Sequence, residues 1–227
     1  MNSTFSKFLE SYFQSHLKEN GLAIQASIAS RDKDLVKRIE NFRRDKMTEE
    51  ERATTTVDSI LEEMKTSQVL RAQFRKDVTR QTIHEKAQID WLKAHKYTDL
   101  TKLSADTNGV CLSNHRFHTI TKATPRPSDA TKTFDGFVPS RKTYLTLKHT
   151  SVPGGAQDNQ FRDVKHIVGQ AVGYLTDVST AEETFEFYLD GKYYTPKKFQ
   201  DLQSMIPSSL SARIRVLTCE SIRPSTL

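Results

Sequence analysis

Long apolar runs are absent from this 227-residue chain. No stretch approaches the roughly 18 residues that span a bilayer, so no membrane-embedded segment is expected. Cysteine is scarce. Cys111 and Cys219 are the only two, too few for a disulfide framework or, alone, a four-ligand zinc site. Glycine and proline number 8 and 7, which excludes collagen-like and low-complexity classes. Hydrophobic residues reach 36%, at the polar end of the globular range. The opening Met1-Asn2-Ser3-Thr4 lacks the basic-then-apolar layout of a secretion signal, so a soluble, cytoplasmic protein is expected. The Asn2-Ser3-Thr4 sequon therefore carries little weight. The length suits one full-sized domain with a helical extension.

Charge is unevenly spread. The chain carries 34 Lys+Arg against 28 Asp+Glu, a net +6. Residues 122–166 hold eight basic and four acidic residues, whereas residues 167–227 hold six and seven. A basic excess of this size is compatible with a nucleic-acid partner.

The first hundred residues read as helices, expected as a region of their own over 1–79. Phe5, Phe8, Leu9, Tyr12, Phe13, His16 and Leu17 follow helical spacing, and Asn20-Gly21 is the expected stop. A second helix is predicted over Asp32–Lys46. Thr48 followed by Glu49, Glu50 and Glu51 predicts a capped helix start. Val57, Ile60, Leu61, Met64, Val69, Leu70, Phe74 and Val78 extend an apolar stripe. A last helix is predicted over Thr79–His95, with Trp91 in the core. The mixed run Arg31–Arg52, eight basic and seven acidic residues, reads as a solvated helix face, with DNA or a second subunit as the alternative contact.

Beyond residue 100 the pattern changes to strands. Strands are predicted over Val110–Thr121, Thr133–Val138 and Thr143–Thr150. A Gly154-Gly155 loop then leads into a helix over Gln157–Leu175, whose apolar face runs Phe161, Val164, Ile167, Val168, Ala171, Val172, Leu175. Asp190-Gly191 between Glu183–Leu189 and Lys192–Tyr194 predicts a hairpin. A helix over Pro196–Met205 and a strand over Ala212–Cys219 follow. The expected fold class is α/β, a mixed β-sheet flanked by helices over residues 80–227, preceded by the helical region.

Alternation places Tyr144, Thr146 and Lys148 on one strand face. If that strand pairs with Thr133–Val138 through the intervening turn, Asp135 and Lys148 converge. A carboxylate beside a lysine at a sheet edge suits metal-dependent phosphodiester hydrolysis: the carboxylate holds Mg²⁺ and the ammonium positions the attacking water. A glycine loop entering a helix attracts phosphate. Gln157, Asn159, Gln160 and Arg162 there, and Lys142 in the turn, are residue types that contact DNA. Taken singly, an Asp–Lys pair is a surface salt bridge and a Gly-Gly turn a connection; their order within thirty residues of the most basic segment favours a site. His115 and His118 on one strand would face opposite ways, which argues against a metal pair, and Cys111 and Cys219 read as core residues.

The run KTFD, YLTLKHTSVPGGAQDNQFRDV resembles the core of PD-(D/E)xK nucleases, in particular certain type II restriction endonucleases, over roughly residues 80–220. The resemblance implies Asp135 as metal-binding aspartate and Lys148 as catalytic lysine. It also implies Mg²⁺ as cofactor, double-stranded DNA as substrate and a homodimer matching a two-fold site. Thr146 stands where that family carries Glu or Asp. The second carboxylate would then come from Asp158, at the start of the following helix, or from Glu85, in the helix before the core. Two other readings stand beside this one. The chain could be a non-catalytic nucleic-acid-binding protein with a degenerate nuclease-like core, which Thr146 favours, or a helical adaptor acting through its first hundred residues.

Overall fold

A computed structural model describes residues 4–74, 81–105, 107–150 and 155–222, with the backbone alone for 81, 82, 155 and 156. The predicted helix start at Thr79, Val78 of the apolar stripe and Gly154 of the loop lie outside the described residues. The fold is α/β and 55% helical. It divides into two compact units, Glu10–Arg80 and Met1–Leu9 with Gln81–Leu227.

The Glu10–Arg80 unit is all helical among the described residues. It holds α1 (Phe5–Ala29, whose first residues belong to the other unit), α2 (Lys33–Lys46), α3 (Glu49–Thr54), α4 (Val57–Thr66) and α5 (Gln68–Phe74). Asp32 caps α2 through its carboxylate, and capping boxes start α3 at Thr48 and α4 at Thr56. Asn20-Gly21 does not stop α1. A mid-helix glycine costs about 1 kcal/mol. That cost is outweighed because Ile24 and Ile28 bury against Leu35, Ile39, Ile60 and Met64.

The other unit contains α6 (Gln81–His95), β1 (Thr101–Lys102), β2 (Gly109–Ser113), β3 (Arg116–Ile120), β4 (Gly136–Val138), β5 (Thr143–His149), α7 (Gly155–Asp177), β6 (Thr184–Asp190), α8 (Pro196–Gln203) and β7 (Ile214–Leu217). Its five-stranded sheet runs β1-β4-β5-β6-β7. The β1/β4 and β4/β5 pairs are antiparallel, the β5/β6 and β6/β7 pairs parallel. Phe134, Phe185, Phe187 and Val216 on one face pack with Phe161, Val164 and Val168 of α7. Leu145, Leu147 and Tyr188 on the other pack with Trp91 and Leu92 of α6 and with Phe5. Sheet and helices thus form the layered solution expected of an α/β chain.

Two strand predictions change. Val110–Thr121 is a hairpin of β2 and β3, because Asn114 and His115 both adopt left-handed backbone, φ 47° and 58°. Asp190-Gly191 ends β6 without starting a hairpin. β6 already pairs on both edges, and Tyr193 and Tyr194 bury in the α7-side core instead of forming a strand. Gly191 has φ +94°, and a Cβ there would stand 2.2 Å from the Thr150 carbonyl oxygen, so only glycine makes this turn.

Candidate active site at the carboxyl end of the central strand

Asp135 immediately precedes β4. Its N–H donates to Leu145 O at 2.8 Å and its carbonyl accepts from Leu103 N–H at 3.0 Å. The carboxylate then extends the β4–β5 ladder by one rung: Oδ2 accepts Leu147 N–H at 2.7 Å and Lys148 Nζ at 3.0 Å. Lys148 Nζ also donates to Leu147 O at 3.0 Å, which fixes the ammonium in place. Both side chains are nearly enclosed, 13% and 16% exposed, so the pair is screened less than a surface bridge. A Cβ at Gly136, beside it, would meet Leu100 Cδ1 at 2.9 Å, so a larger residue there needs that leucine side chain to shift.

Glu85, on α6, pairs with Lys102 at 2.7 Å. Lys102 is the register partner of Gly136, so this second ion pair stands next to Asp135 along the sheet. Asp158 lies elsewhere. In the first turn of α7 it accepts the Tyr193 hydroxyl at 2.5 Å and faces Lys198 at 3.8 Å, with its side chain 67% exposed.

The expected DNA-contact residues separate likewise. Gln160 Oε1 accepts from Thr150 Oγ1 at 3.3 Å, just past the end of β5. Gln157 is half-buried on the same helix, while Asn159 and Arg162 are exposed and hydrogen-bonded to each other. Lys142 pairs with Glu182 at the opposite end of β5, about 20 Å along the strand from Lys148 at 3.3 Å per residue. The structure therefore brings Asp135, Lys148 and the Glu85–Lys102 pair to one end of the sheet, and sets Lys142 at the other.

Behind Lys148, on the α6 face, lies a polar layer that sequence reasoning missed. Gln88 Nε2 donates to Asp190 Oδ2 at 2.7 Å and to the Lys148 carbonyl at 3.4 Å. Asp190 Oδ1 accepts Cys219 N–H at 3.0 Å, and burial pushes its carboxyl up to about 6. His149 stacks on His84, centroids 4.0 Å apart and planes 8° from parallel. Burial, followed by the neighbouring His84, lowers His149 to about 4. The available signal was periodicity. His84, Gln88 and Trp91 share the inward side of α6, so Gln88 is a polar residue in a core stripe. Lys102 gave no such signal.

Thr146, in the position of the expected acid, is buried on the Lys148 face, and its hydroxyl has no hydrogen-bond partner among the described residues. Also among the described residues, no three His, Cys, Asp or Glu side chains form a ready ligand cluster. The donors present are carboxylate oxygens, with Asp135 Oδ1 clear of the bonds that engage Oδ2. They fit Mg²⁺, which binds through one or two carboxylates with water and substrate phosphate, better than zinc, which takes a closed set of nitrogen and sulfur ligands. Comparison with protein-family models, with curated proteins and with solved structures finds no match to this chain.

Proposed function

We propose that this chain is a Mg²⁺-dependent endonuclease of the type II restriction class, a cytoplasmic homodimer hydrolysing phosphodiester bonds in double-stranded DNA. The observation that carries this reading is the Asp135–Lys148 pair, joined across an antiparallel hairpin with Leu147 N–H on the same carboxylate oxygen. Asp135 Oδ1 would hold the cation, with Glu85 as second carboxylate once Lys102 releases it. When bound, Mg²⁺ supplies positive charge against the phosphate and makes water more acidic. Lys148, anchored by Asp135 and the Leu147 carbonyl, would orient the attacking water against the scissile phosphate. Gln160, beside Thr150, would meet DNA at that end of the sheet. Among the described residues no helix is long and apolar enough to cross a membrane.

Thr146 supports a second reading, a nucleic-acid-binding protein without hydrolytic activity, since a neutral hydroxyl replaces a metal-binding acid. The deciding experiment is incubation of long mixed-sequence DNA with the protein in Mg²⁺ and in EDTA. Discrete Mg²⁺-dependent fragments support the restriction reading, and a smear keeps the nuclease without the sequence specificity. DNA shifted in a gel yet intact in both conditions supports the binder.

A further inference from the structure

The stretch from Arg116 to Lys132 combines a concentration of positive charge with a fixed backbone. Residues 114–134 hold four Lys/Arg (Arg116, Lys122, Arg126, Lys132) against one acid, Asp129, half of the net +6 of the whole chain. All four basic residues are exposed, and none forms an ion pair among the described residues. The single acid is engaged from other sides. Ser113 Oγ donates to Asp129 at 2.6 Å and, as the largest influence, holds its carboxyl low; His118 of β3 and His166 of α7 also face it.

The segment is held at several points. Thr131 N–H donates to Leu112 O at 2.8 Å and its hydroxyl accepts Leu112 N–H at 3.0 Å, while Phe134 N–H donates to Val110 O at 2.9 Å. Thr121 and Thr124 exchange backbone bonds at 3.1 and 3.2 Å, closing the loop that presents Lys122. The hairpin tip docks on α7: His115 N–H donates to Gln170 Oε1 at 2.9 Å, His115 Nδ1 meets Asp177 at 2.6 Å, and its ring occupies the space left by Gly173. The basic groups are thus presented on an ordered support whose last anchor, Phe134, immediately precedes Asp135.

We propose that the Arg116–Lys132 arm is a docking surface for the phosphate backbone of duplex DNA. The inference rests on the duplex-DNA reading above and assigns contacts to residues outside the Asp135–Lys148 site. Three features select this partner. Lysine, arginine and threonine hydroxyls are the side chains that meet phosphate oxygens, and Thr119, Thr121 and Thr124 are exposed with the basic groups. Residues 121–133 contain no aromatic side chain, and Phe117, earlier in the arm, packs its ring among Phe134, Tyr144, Tyr174 and Phe185, so the arm offers no phenyl platform for unpaired bases. They also present no apolar face that would enter a lipid interface.

The test is binding of a fluorescein-labelled mixed-sequence duplex in EDTA, followed by anisotropy across a salt series. It compares the full chain with the double variant Lys122→Ala/Arg126→Ala and the charge-retaining variant Lys122→Arg/Arg126→Lys. Each lost phosphate contact lowers the slope of log K against log salt by about 1, so the double variant loses roughly 2 units of slope, and the charge-retaining variant restores it. An unchanged slope in the double variant overturns the arm and leaves the nuclease reading standing. No binding by the unaltered chain at low salt overturns both. Tighter binding of single-stranded DNA or duplex RNA than of duplex DNA overturns the assigned partner.

Discussion

His149 and Asp190 are register partners in the parallel β5–β6 pair, and burial drives their protonation in opposite directions. Asp190 titrates near 6 in the folded chain against an ordinary 3.8. Between those values the folded state holds the proton more tightly than the unfolded chain. Its contribution to stability is therefore complete below about pH 4 and lost as pH rises through about 6, close to 3 kcal/mol at 1.36 kcal/mol per unit. His149 falls to about 4 from 6.5. The unfolded chain then binds the extra proton, so stability rises with pH over about 4 to 6.5, by about 2 kcal/mol after allowance for solvent reaching a half-buried ring. The two slopes oppose each other, and the unaltered chain should show a nearly flat stability profile over this window. Asp190→Asn uncovers the rising slope and His149→Gln the falling one. Trp91 is the only tryptophan, is 1% exposed and donates to the Cys219 carbonyl at 3.2 Å, so its fluorescence in urea reports this unit alone. If Asp190→Asn unfolds with the same pH profile as the unaltered chain, the assignment of a titrating carboxyl behind Lys148 is wrong.

The remaining predictions concern single sites. Asp135→Asn and Lys148→Met should each reduce Mg²⁺-dependent cleavage by at least about 100-fold while Trp91 still reports a folded unit; full activity in either removes the proposed chemistry. Thr146→Val deletes a buried hydroxyl without a partner among the described residues and should stabilise by about 1 kcal/mol in thermal unfolding; a loss of stability would show that the hydroxyl is bonded. Gly191→Ala should cost more than about 2 kcal/mol, because φ is +94° and the new Cβ meets the Thr150 carbonyl. Lys102→Met frees Glu85 and should tighten Mn²⁺ binding measured by calorimetry, at under about 1 kcal/mol of stability since Lys102 is half exposed.

The α/β layering and the convergence of Asp135 with Lys148 were legible because both rest on short-range patterns. Alternation fixes strand faces, and a short turn brings adjacent strands together. The Thr48 cap was legible for the same reason. What escaped was set by distant partners. Asn20-Gly21 reads as a stop until Ile24 and Ile28 find the apolar faces of α2 and α4. Asp190-Gly191 reads as a hairpin until β7 takes the far edge of β6. Lys102 acquires a role only because β1 joins the sheet beside β4, and Gln88 only because α6 lies across β5 and β6.

The Asp135–Lys148 contact closes a loop of 13 residues, whereas Gln88 reaches Asp190 across 102 and Trp91 reaches Cys219 across 128. Local closure costs less chain entropy and is faster than long-range pairing. The two proposed catalytic groups should therefore meet before the long-range contacts form, on a hairpin that the parallel strands then enclose. Substitutions in the Gln88–Asp190 layer should slow the final enclosure without altering how Asp135 finds Lys148, giving a chain whose active pair forms on time and whose sheet closes late.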